Sequence, residues 1–252
     1  MTDIILSGCC GKMGKVIVNE VAKREDCRIV AGVDIFPDNS LPFPVYDDFS
    51  KITEKADVII DFSNPVVLKG MLSYAIDKEV PCVICTTGYS AEQTEDIRKA
   101  SEKVAIFYSR NMSLGINLLI ELSRQAEKVL GKSFDVEIVE KHHNQKVDAP
   151  SGTALMIADA IADTMENEPQ YVYDRHSYRR KRERNEIGIH AVRGGTIVGE
   201  HEVIFAGHDE VLTITHQAQS KEVFAVGSIN AGIYLKGKTS GMYDMSAMLQ
   251  EK

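Results

Sequence analysis

Short apolar runs rich in valine and isoleucine recur through the first 108 residues of the chain. They lie at residues 3–8, 28–34, 56–62, 80–86 and 104–108, and each is typical of a buried strand. Segments with helical spacing lie between several of these runs, at residues 12–23, 66–76 and 91–104. This alternation of strands and helices predicts an α/β fold with a Rossmann-type, doubly wound parallel sheet.

The pattern changes after about residue 112. Residues 117–131 and 152–166 have the spacing of helices, and residues 134–139 alternate as a strand. Strand-like runs separated by glycines follow at residues 187–225, with no clear helix between them. We therefore expect a second, α+β domain built on an open mixed sheet. The helical tail is expected to return to the first domain, so the predicted boundaries are 1–112 with 220–252, and 113–219.

Composition narrows the class of protein. The 252 residues are 44% apolar and 26% charged, and no apolar run reaches the roughly 20 residues that span a bilayer. The N-terminus lacks the basic and apolar regions of a signal peptide, so we expect a cytoplasmic protein without membrane insertion. A net charge of -8 argues against a general nucleic-acid surface.

Three features that suggest other functions are set aside. Cys82 and Cys85 form a C-x-x-C, but they lie in an apolar strand pattern, where cysteine packs as a small hydrophobe. Most histidines are scattered through predicted strands and loops, so we assign no metal. The basic run at residues 179–184 is interpreted as a solvated loop, with steering of an anionic substrate or cofactor as the alternative.

A glycine-rich stretch follows the first predicted strand. Gly8, Gly11 and Gly14 open the first predicted helix with the spacing G-x-x-G-x-x-G, rather than the commoner G-x-G-x-x-G. Glycines let the main chain approach a pyrophosphate, and the amides at the start of a helix favour its negative charge. Asp34 ends the second strand 20 residues after Gly14, where a carboxylate can bind an adenosine ribose. Dinucleotide binding is therefore favoured over a tight glycine turn beside a surface aspartate.

Asp34 also bears on the choice of cofactor. A carboxylate beside the ribose repels a 2'-phosphate, and the following residue is Ile35 rather than an arginine. We expect NADH to be accepted. Lys12 offsets part of the repulsion, so the use of NADPH stays open.

The densest group of titratable residues is EKHHNQKVDAPSGTA, residues 140–154. His142, His143 and Lys146 follow the predicted strand, and Ser151 has the position of an N-cap for the next helix. Imidazoles, an ammonium and the amides of Gly152 and Thr153 together suit a small ligand that carries carboxylates. The alternative, a surface loop with a serine cap, fits any one histidine better than it fits the whole group.

This segment resembles the E-x-H-H-x-x-K-x-D-x-P-S-G-T-A signature of the dihydrodipicolinate reductase family, whose members act on 4-hydroxy-tetrahydrodipicolinate. Other stretches of the chain are similar to that family in the same order. They are GxxGxMG at 8–14, CTTG at 85–88, NMSLGIN at 111–117, RGGTIVGEH at 193–201 and SGMYDM at 240–245.

The resemblance implies an NAD(P)H-dependent reduction of a cyclic dicarboxylate to tetrahydrodipicolinate, with loss of water, in the diaminopimelate route to lysine. It also implies that His142 accepts or donates a proton, that Lys146 donates one, and that His143, Gly152 and Thr153 hold the substrate. The cofactor residues that it implies are Gly8, Cys9, Cys10, Gly11, Lys12, Met13, Asp34, Cys85, Thr86, Thr87, Ser109, Arg110, Asn111 and Met112.

The resemblance further implies a homotetramer assembled through the second domain. Cys85 stands where many relatives have glycine, and Ile35 where some have arginine; the second departure weakens any claim of strong NADPH preference. Two other functions stay open: a dehydrogenase of another small amino or hydroxy acid, and a cofactor-sensing protein that does no chemistry.

Overall fold

The computed structural model describes residues 1–38 and 40–251. The described residues form strands β1 (Thr2–Ser7), β2 (Cys27–Val33), β3 (Val45–Tyr46), β4 (Val58–Asp61), β5 (Cys82–Ile84), β6 (Ala105–Tyr108), β7 (Asp135–His142), β8 (Gln170–Val172), β9 (Glu186–Arg193), β10 (Gly199–Ala206), β11 (Val211–Ala218) and β12 (Gly241–Tyr243). They also form helices α1 (Lys12–Val21), α2 (Leu68–Lys78), α3 (Ala91–Ser101), α4 (Leu114–Leu130), α5 (Gly152–Ala162), α6 (Glu222–Leu235) and α7 (Met245–Gln250). None of these helices combines the length and the apolar character that crossing a membrane requires.

The chain forms two compact units. Unit 1 comprises Met1–Ser113 and the chain from Lys221 onward, and unit 2 comprises Leu114–Ser220. The predicted fold class is confirmed, because unit 1 is a doubly wound sheet with helices and unit 2 is built on a mixed sheet. The division of cofactor and substrate binding between two domains stays a prediction.

Unit 1 contains a seven-stranded sheet in the order β12-β6-β5-β4-β1-β2-β3, and all its strand pairs are parallel. The chain order reverses at β1, which pairs with β2 on one side and with β4 on the other. In such sheets ligands bind outside the carboxyl ends of the strands at this switch point. The glycine-rich stretch follows β1 at that position.

The central strands of unit 1 are apolar because helices cover both faces of a parallel sheet. Ile4, Ile5 and Leu6 in β1 and Ile59 and Ile60 in β4 are fully buried. Helix α6, from the C-terminal tail, packs against α1 and against β4, β5 and β6. Strand β12 then pairs with β6 at the edge of the sheet. The C-terminal tail thus contributes both a covering helix and an edge strand to unit 1.

Unit 2 contains a five-stranded sheet in the order β11-β10-β7-β9-β8. Strand β10 pairs antiparallel with β7 and β11, whereas β9 pairs parallel with β7 and β8. Helices α4 and α5 pack together, and their apolar residues share one core with the buried residues of β7, β9 and β10.

Strand β7 is longer than the predicted strand at 134–139, and His142 lies at its end rather than in a loop. The prediction was wrong because both neighbouring strands continue that far: Glu140 is opposite His201 of β10, and His142 is opposite Arg193 of β9. Alternate residues of β7 are buried. Along the strand, its buried face therefore changes from apolar, at Val136 and Ile138, to polar, at Glu140 and His142.

The interpretation of the basic run 179–184 as a solvated loop was wrong for Arg182. Its side chain is only 17% exposed, and it donates to the carboxylates of Glu137 (3.0 Å) and Asp135 (2.9 Å). Arg180 in turn pairs with the buried carboxylate of Glu186 at 3.1 Å. Acidic residues on β7 and β9 bind these two arginines, because the sheet presents carboxylates that a sequence pattern cannot place.

Candidate active site

The loop between β1 and α1 has glycine where no other residue fits. Gly8 has a φ of +78°, and a Cβ there would lie 2.4 Å from the main-chain oxygen of Phe62. A Cβ on Gly14 would lie 2.2 Å from the main-chain oxygen of Gly8. Gly11 is the N-cap of α1 and makes no side-chain cap, and the first turn of α1 has no acidic residue. The amides at this helix terminus therefore favour an anion.

Asp34 lies directly beside this loop, one residue after β2. Its Oδ2 accepts a hydrogen bond from the Cys10 N–H (3.0 Å), and its Oδ1 accepts one from the Phe36 N–H (3.1 Å). A cavity of about 200 Å³, lined in part by Gly8, Gly11, Asp34 and Phe62, opens beside the carboxylate. A glycine cradle, a helix N-terminus and a carboxylate around one cavity fit the adenosine and pyrophosphate parts of a dinucleotide.

The other predicted cofactor residues follow β5 and β6. Because the strands are parallel, the carboxyl ends of β1, β2, β5 and β6 share one edge of the sheet, so all the predicted cofactor segments lie along that edge. Thr87 and Arg110 are exposed there, as is Lys12 in the glycine loop, and Cys85 is partly buried. The remaining predicted residues at these strand ends are Thr86, Ser109, Asn111 and Met112.

Thr86 and Met112 face inward instead. Thr86 is 6% exposed, and its Oγ1 accepts a hydrogen bond from the Ser63 N–H at 2.8 Å. Met112 is 3% exposed, and a Cβ on Gly227 of α6 would lie 1.7 Å from its main-chain oxygen. The Thr86 hydroxyl and the Met112 main chain therefore make contacts within unit 1.

Asp61, at the end of β4, was not singled out from the sequence. It is fully buried and accepts hydrogen bonds from the hydroxyls of Ser63 (2.5 Å) and Tyr89 (3.4 Å). Burial raises the pKa of Asp61, and these hydroxyls oppose the shift only in part. The available signal was an acidic residue that ends an apolar strand run, VIID.

Glu140 is the centre of the site in unit 2. Its buried carboxylate accepts two hydrogen bonds from Arg193, Nη1 to Oε2 and Nη2 to Oε1, both at 2.7 Å. Oε1 also accepts a hydrogen bond from the Ser151 N–H at 2.9 Å, and Oε2 lies 2.6 Å from Nδ1 of His142. Burial raises the pKa of Glu140, but Arg193, His142 and the Ser151 amide outweigh it and lower the pKa overall.

This environment selects the protonation state of His142. Burial, together with Lys146 and Arg193, lowers the pKa of His142 despite the nearby Glu140 carboxylate. A neutral imidazole beside an ionised carboxylate keeps its proton on Nδ1, and the Nδ1–H donates a hydrogen bond to Glu140. Nε2 then carries a lone pair. A Cβ on Gly199 would lie 3.1 Å from that nitrogen, so a side chain at this position would crowd it.

His201 belongs to the same cluster, although the sequence pattern placed it among the scattered histidines. Its ring lies edge-on to His142, with centroids 5.2 Å apart, and its Nε2 is 3.2 Å from Oγ of Ser151. Burial lowers the pKa of His201 to about 3, so its ring is neutral. Ser151 Oγ also accepts the Ala154 N–H at 3.1 Å, which confirms the predicted N-cap of α5.

Lys146 lies in the loop between β7 and α5. Its Nζ is 2.8 Å from Oδ1 of Asp148, two residues further along the same loop. The Lys146 ammonium, followed by smaller contributions that include the Gly152 amide, lowers the pKa of Asp148. His143 is partly buried, and its main-chain oxygen accepts the Lys146 N–H at 3.2 Å, which closes the turn.

The structure thus brings His142, His143, Lys146, Gly152 and Thr153 into one region of unit 2, where β7 ends and α5 begins. It adds Glu140 and Arg193, which sequence reasoning did not assign a role. Glu140 was detectable because residues two apart on a strand share a face, which aligns it with His142. Arg193 was not detectable from spacing, because it reaches Glu140 only through the pairing of β7 with β9.

A glycine loop that opens a helix and a carboxylate after the second strand of a doubly wound sheet define a nicotinamide-dependent oxidoreductase of the Rossmann class. Residues 2–112 match the family described as "Dihydrodipicolinate reductase, N-terminus", and residues 115–249 match "Dihydrodipicolinate reductase, C-terminus". The chain belongs to the dihydrodipicolinate reductase family.

Individual relatives agree with this assignment. The chain is 49% identical over 252 residues to the 4-hydroxy-tetrahydrodipicolinate reductase of Clostridium novyi (strain NT), covering 100% of both chains. It is 51% identical over 253 residues to the protein of the same name from Caldanaerobacter subterraneus subsp. tengcongensis, covering 100% of this chain and 99% of that one. Among solved structures, the dipicolinate-bound dihydrodipicolinate reductase from Paenisporosarcina sp. TG-14 has a TM-score of 0.80 and 26% identity, covering 97% of each chain.

Proposed function

We propose that this chain catalyses the NAD(P)H-dependent reduction of 4-hydroxy-tetrahydrodipicolinate to tetrahydrodipicolinate, with loss of water, in the diaminopimelate pathway of lysine biosynthesis. The observation that carries the proposal is in unit 2. The Asp148 carboxylate pairs with the Lys146 ammonium at 2.8 Å, just before α5 begins. The loop therefore already binds a carboxylate beside two histidines, and a dicarboxylate substrate presents the same chemical group.

The cofactor would be held at the edge of unit 1. The glycine loop from Gly8 to Met13 would face the pyrophosphate, Asp34 the adenosine ribose, and the segments after β5 and β6 the nicotinamide half. When bound, the reduced cofactor supplies a hydride. The Asp34 carboxylate followed by Ile35 supports acceptance of NADH, and exposed Lys12 leaves NADPH open.

Substrate binding is assigned to Lys146, His143, Gly152 and Thr153. A substrate carboxylate would replace Asp148 on Lys146, and the Gly152 amide at the start of α5 would favour its negative charge. The Paenisporosarcina relative is described as bound to dipicolinate, which is itself a dicarboxylate. This supports a site for two carboxylates in the family, and hence in this chain.

Proton transfer is assigned to Lys146 and His142. Reduction of a conjugated imine builds negative charge that a positioned acid must neutralise, and Lys146 carries the proton for that step. His142 has its Nδ1–H directed to Glu140, so its Nε2 is set to accept a proton rather than to donate one. Glu140, held by Arg193, fixes this tautomer.

The two other functions are weaker on specific grounds. A dehydrogenase of another small acid would use the same glycine loop, but it does not require a buried Glu-His pair beside a lysine and a helix N-terminus. A cofactor-sensing protein would not require His142 or Lys146. We also infer, from family resemblance, that unit 2 assembles a homotetramer; light scattering of the purified chain measures this directly.

The test is the loss of absorbance at the reduced-nicotinamide band when the purified chain meets freshly made substrate. The preceding synthase generates that substrate from pyruvate and aspartate semialdehyde, and NADH and NADPH are supplied in parallel. We expect oxidation that requires the synthase, and a reaction without synthase is the control. If the chain binds NADH but oxidises neither cofactor, the proposal is wrong and the sensor or another substrate takes its place.

A further inference from the structure

Three metal-binding side chains meet at the glycine loop of unit 1. The Sγ atoms of Cys9 and Cys10 are 3.8 Å apart, and together with a carboxylate oxygen of Asp34 they lie within 4.8 Å of one another. Both thiols are free. This group lies at the position that the loop offers to a dinucleotide, and the proposed reaction makes no use of the thiols.

The spacing of the two sulfur atoms fits a metal ion. Zinc binds thiolate sulfur at about 2.3 Å with tetrahedral geometry, and that geometry places two such sulfurs about 3.8 Å apart. The observed separation of 3.8 Å therefore requires little rearrangement of Cys9 and Cys10. Asp34 supplies a third donor, and three protein donors leave the fourth position for water.

A disulfide is a poorer fit for the same pair. Adjacent residues joined by a trans peptide have Cα atoms about 3.8 Å apart, and disulfides usually need about 4.4 to 6.8 Å. Cys9 is also fully buried behind the loop, where its Sγ would lie 2.6 Å from a Cβ on Gly32. Chelation by two neighbouring thiols and a carboxylate does not require such a contraction of the backbone.

We propose that Cys9, Cys10 and Asp34 form a binding site for a thiophilic divalent cation of the zinc type, and that the ion and the dinucleotide exclude one another. Each coordinating thiol gives up its proton to solvent and binds as thiolate, so no redox change occurs. Access is from the side of Cys10 and Asp34, which are both partly exposed. An ion there would occupy the carboxylate assigned to the ribose; this exclusion rests on the proposed function, whereas the metal site itself does not.

The probe is Cd²⁺, because its bonds to thiolate absorb in the ultraviolet. The fully reduced chain is titrated with Cd²⁺ without cofactor. We expect one ion per chain with the absorbance of two cadmium-thiolate bonds. Cys10→Ser removes one of the two thiolates and should lower this absorbance by at least half. Loss of an outer-sphere partner costs about 10- to 100-fold in metal affinity. Asp34→Asn removes a proposed direct ligand, so it should weaken Cd²⁺ binding by at least that much.

Cys27→Ser is the matched control, because Cys27 is a buried thiol at the start of β2, outside the group. It should leave the titration unchanged, and circular dichroism of all three variants checks that they fold. Wild-type absorbance in Cys10→Ser would overturn the proposal. So would no absorbance in a wild-type chain whose five cysteines are all shown by a thiol assay to be reduced.

NADH is then added to the cadmium-bound chain. We expect it to raise the apparent Kd for Cd²⁺ in proportion to NADH concentration. If NADH binds without affecting a confirmed metal site, mutual exclusion is wrong. If the chain binds neither NADH nor NADPH, the proposed function fails, while the result of the cofactor-free titration still decides the metal site.

Discussion

Asp61 in unit 1 and Glu140 in unit 2 are both fully buried carboxylates near the ends of strands, yet their pKa values shift in opposite directions. Asp61 has only hydroxyl groups as its described side-chain partners, and burial raises its pKa. Glu140 has the bidentate Arg193, and its pKa is lowered although it is equally buried. Burial favours the neutral acid in both cases, and the presence of a cation decides which form prevails.

The opposite pKa shifts suit the two carboxylates to different roles. Glu140 stays ionised, so it can fix the tautomer of His142 and keep a lone pair on Nε2. Asp61 is suited to holding together the hydroxyls of Ser63 and Tyr89 beneath the strand ends. In the proposed function, Glu140 would support proton transfer by His142, whereas Asp61 would hold the strand ends where the cofactor is proposed to bind.

The largest effect is expected where Glu140 acts, on proton transfer. Replacing Lys146 or His142 by alanine should lower turnover by about 10²- to 10⁴-fold, the usual contribution of a positioned acid or base. Cofactor affinity should be nearly unchanged, because neither residue lies in the glycine loop. Steady-state kinetics and a cofactor-binding titration measure the two quantities.

Lys132→Ala is the control for Lys146→Ala, since Lys132 is 60% exposed in the same unit and pairs with Glu166. It should keep wild-type turnover. If Lys146→Ala and His142→Ala lose cofactor binding but keep turnover at saturation, the assignment of roles is wrong.

The next effect is on stability. Glu140→Gln leaves the Arg193 charge without its partner, and breaking a buried pair in this way costs about 3 to 5 kcal/mol. We expect the lower end of that range, because the Arg193 side chain is 19% exposed. Asp61→Asn removes no partner charge and keeps an acceptor for the hydroxyls, so its free energy of unfolding should change by about 1 kcal/mol. Urea denaturation at neutral pH compares them, and equal losses would contradict the contrast.

The pH dependence of the same variants should have opposite signs. Glu140 has a lowered pKa in the folded chain, so its contribution to stability is present above the unfolded pKa and is lost as pH falls through the folded value. Asp61 has a raised pKa, so its contribution is present below the unfolded value and is lost as pH rises toward the folded one. In the unfolded chain the pKa values of Glu140 and Asp61 are near their usual values of 4.5 and 3.8.

The stability of Asp61→Asn relative to wild type should therefore improve as pH rises above 3.8. Relative to wild type, Glu140→Gln should instead recover stability as pH falls below 4.5. Denaturation curves over this range of pH give both slopes, and slopes of the same sign would show that Arg193 does not separate the two sites.

The smallest effect is expected at Asp148, a carboxylate that pairs with a cation, as Glu140 does, but is exposed. Its side chain is 51% exposed, so its pair with Lys146 is worth at most about 1 kcal/mol. Asp148→Asn removes the internal competitor for Lys146, and we expect KM for the dicarboxylate to fall by up to about fivefold. Asp163→Asn, at a 72% exposed site in the same unit, is the control. A higher KM would mean that Asp148 positions Lys146 rather than competing for it.

Much of unit 1 could be predicted from the chain alone, because its signals are local. A buried parallel strand must be apolar along its length, and a loop that cradles phosphate must place glycine within a few residues of a strand and a helix. Both signals are contained in the stretch from Thr2 to Met13. In unit 2, by contrast, the end of β7 was misplaced, because it depends on neighbouring strands more than 40 residues away.

The family and the fold class follow from residue patterns along the chain. So does the nearness of His142, Lys146 and Gly152, because these residues lie within one stretch of eleven. The groups that surround them depend instead on the tertiary fold. Arg193 and His201 reach the cluster through the register of β9 and β10 against β7. Protonation depends on desolvation and on charges within a few ångströms, and strand register sets those distances while local residue patterns do not.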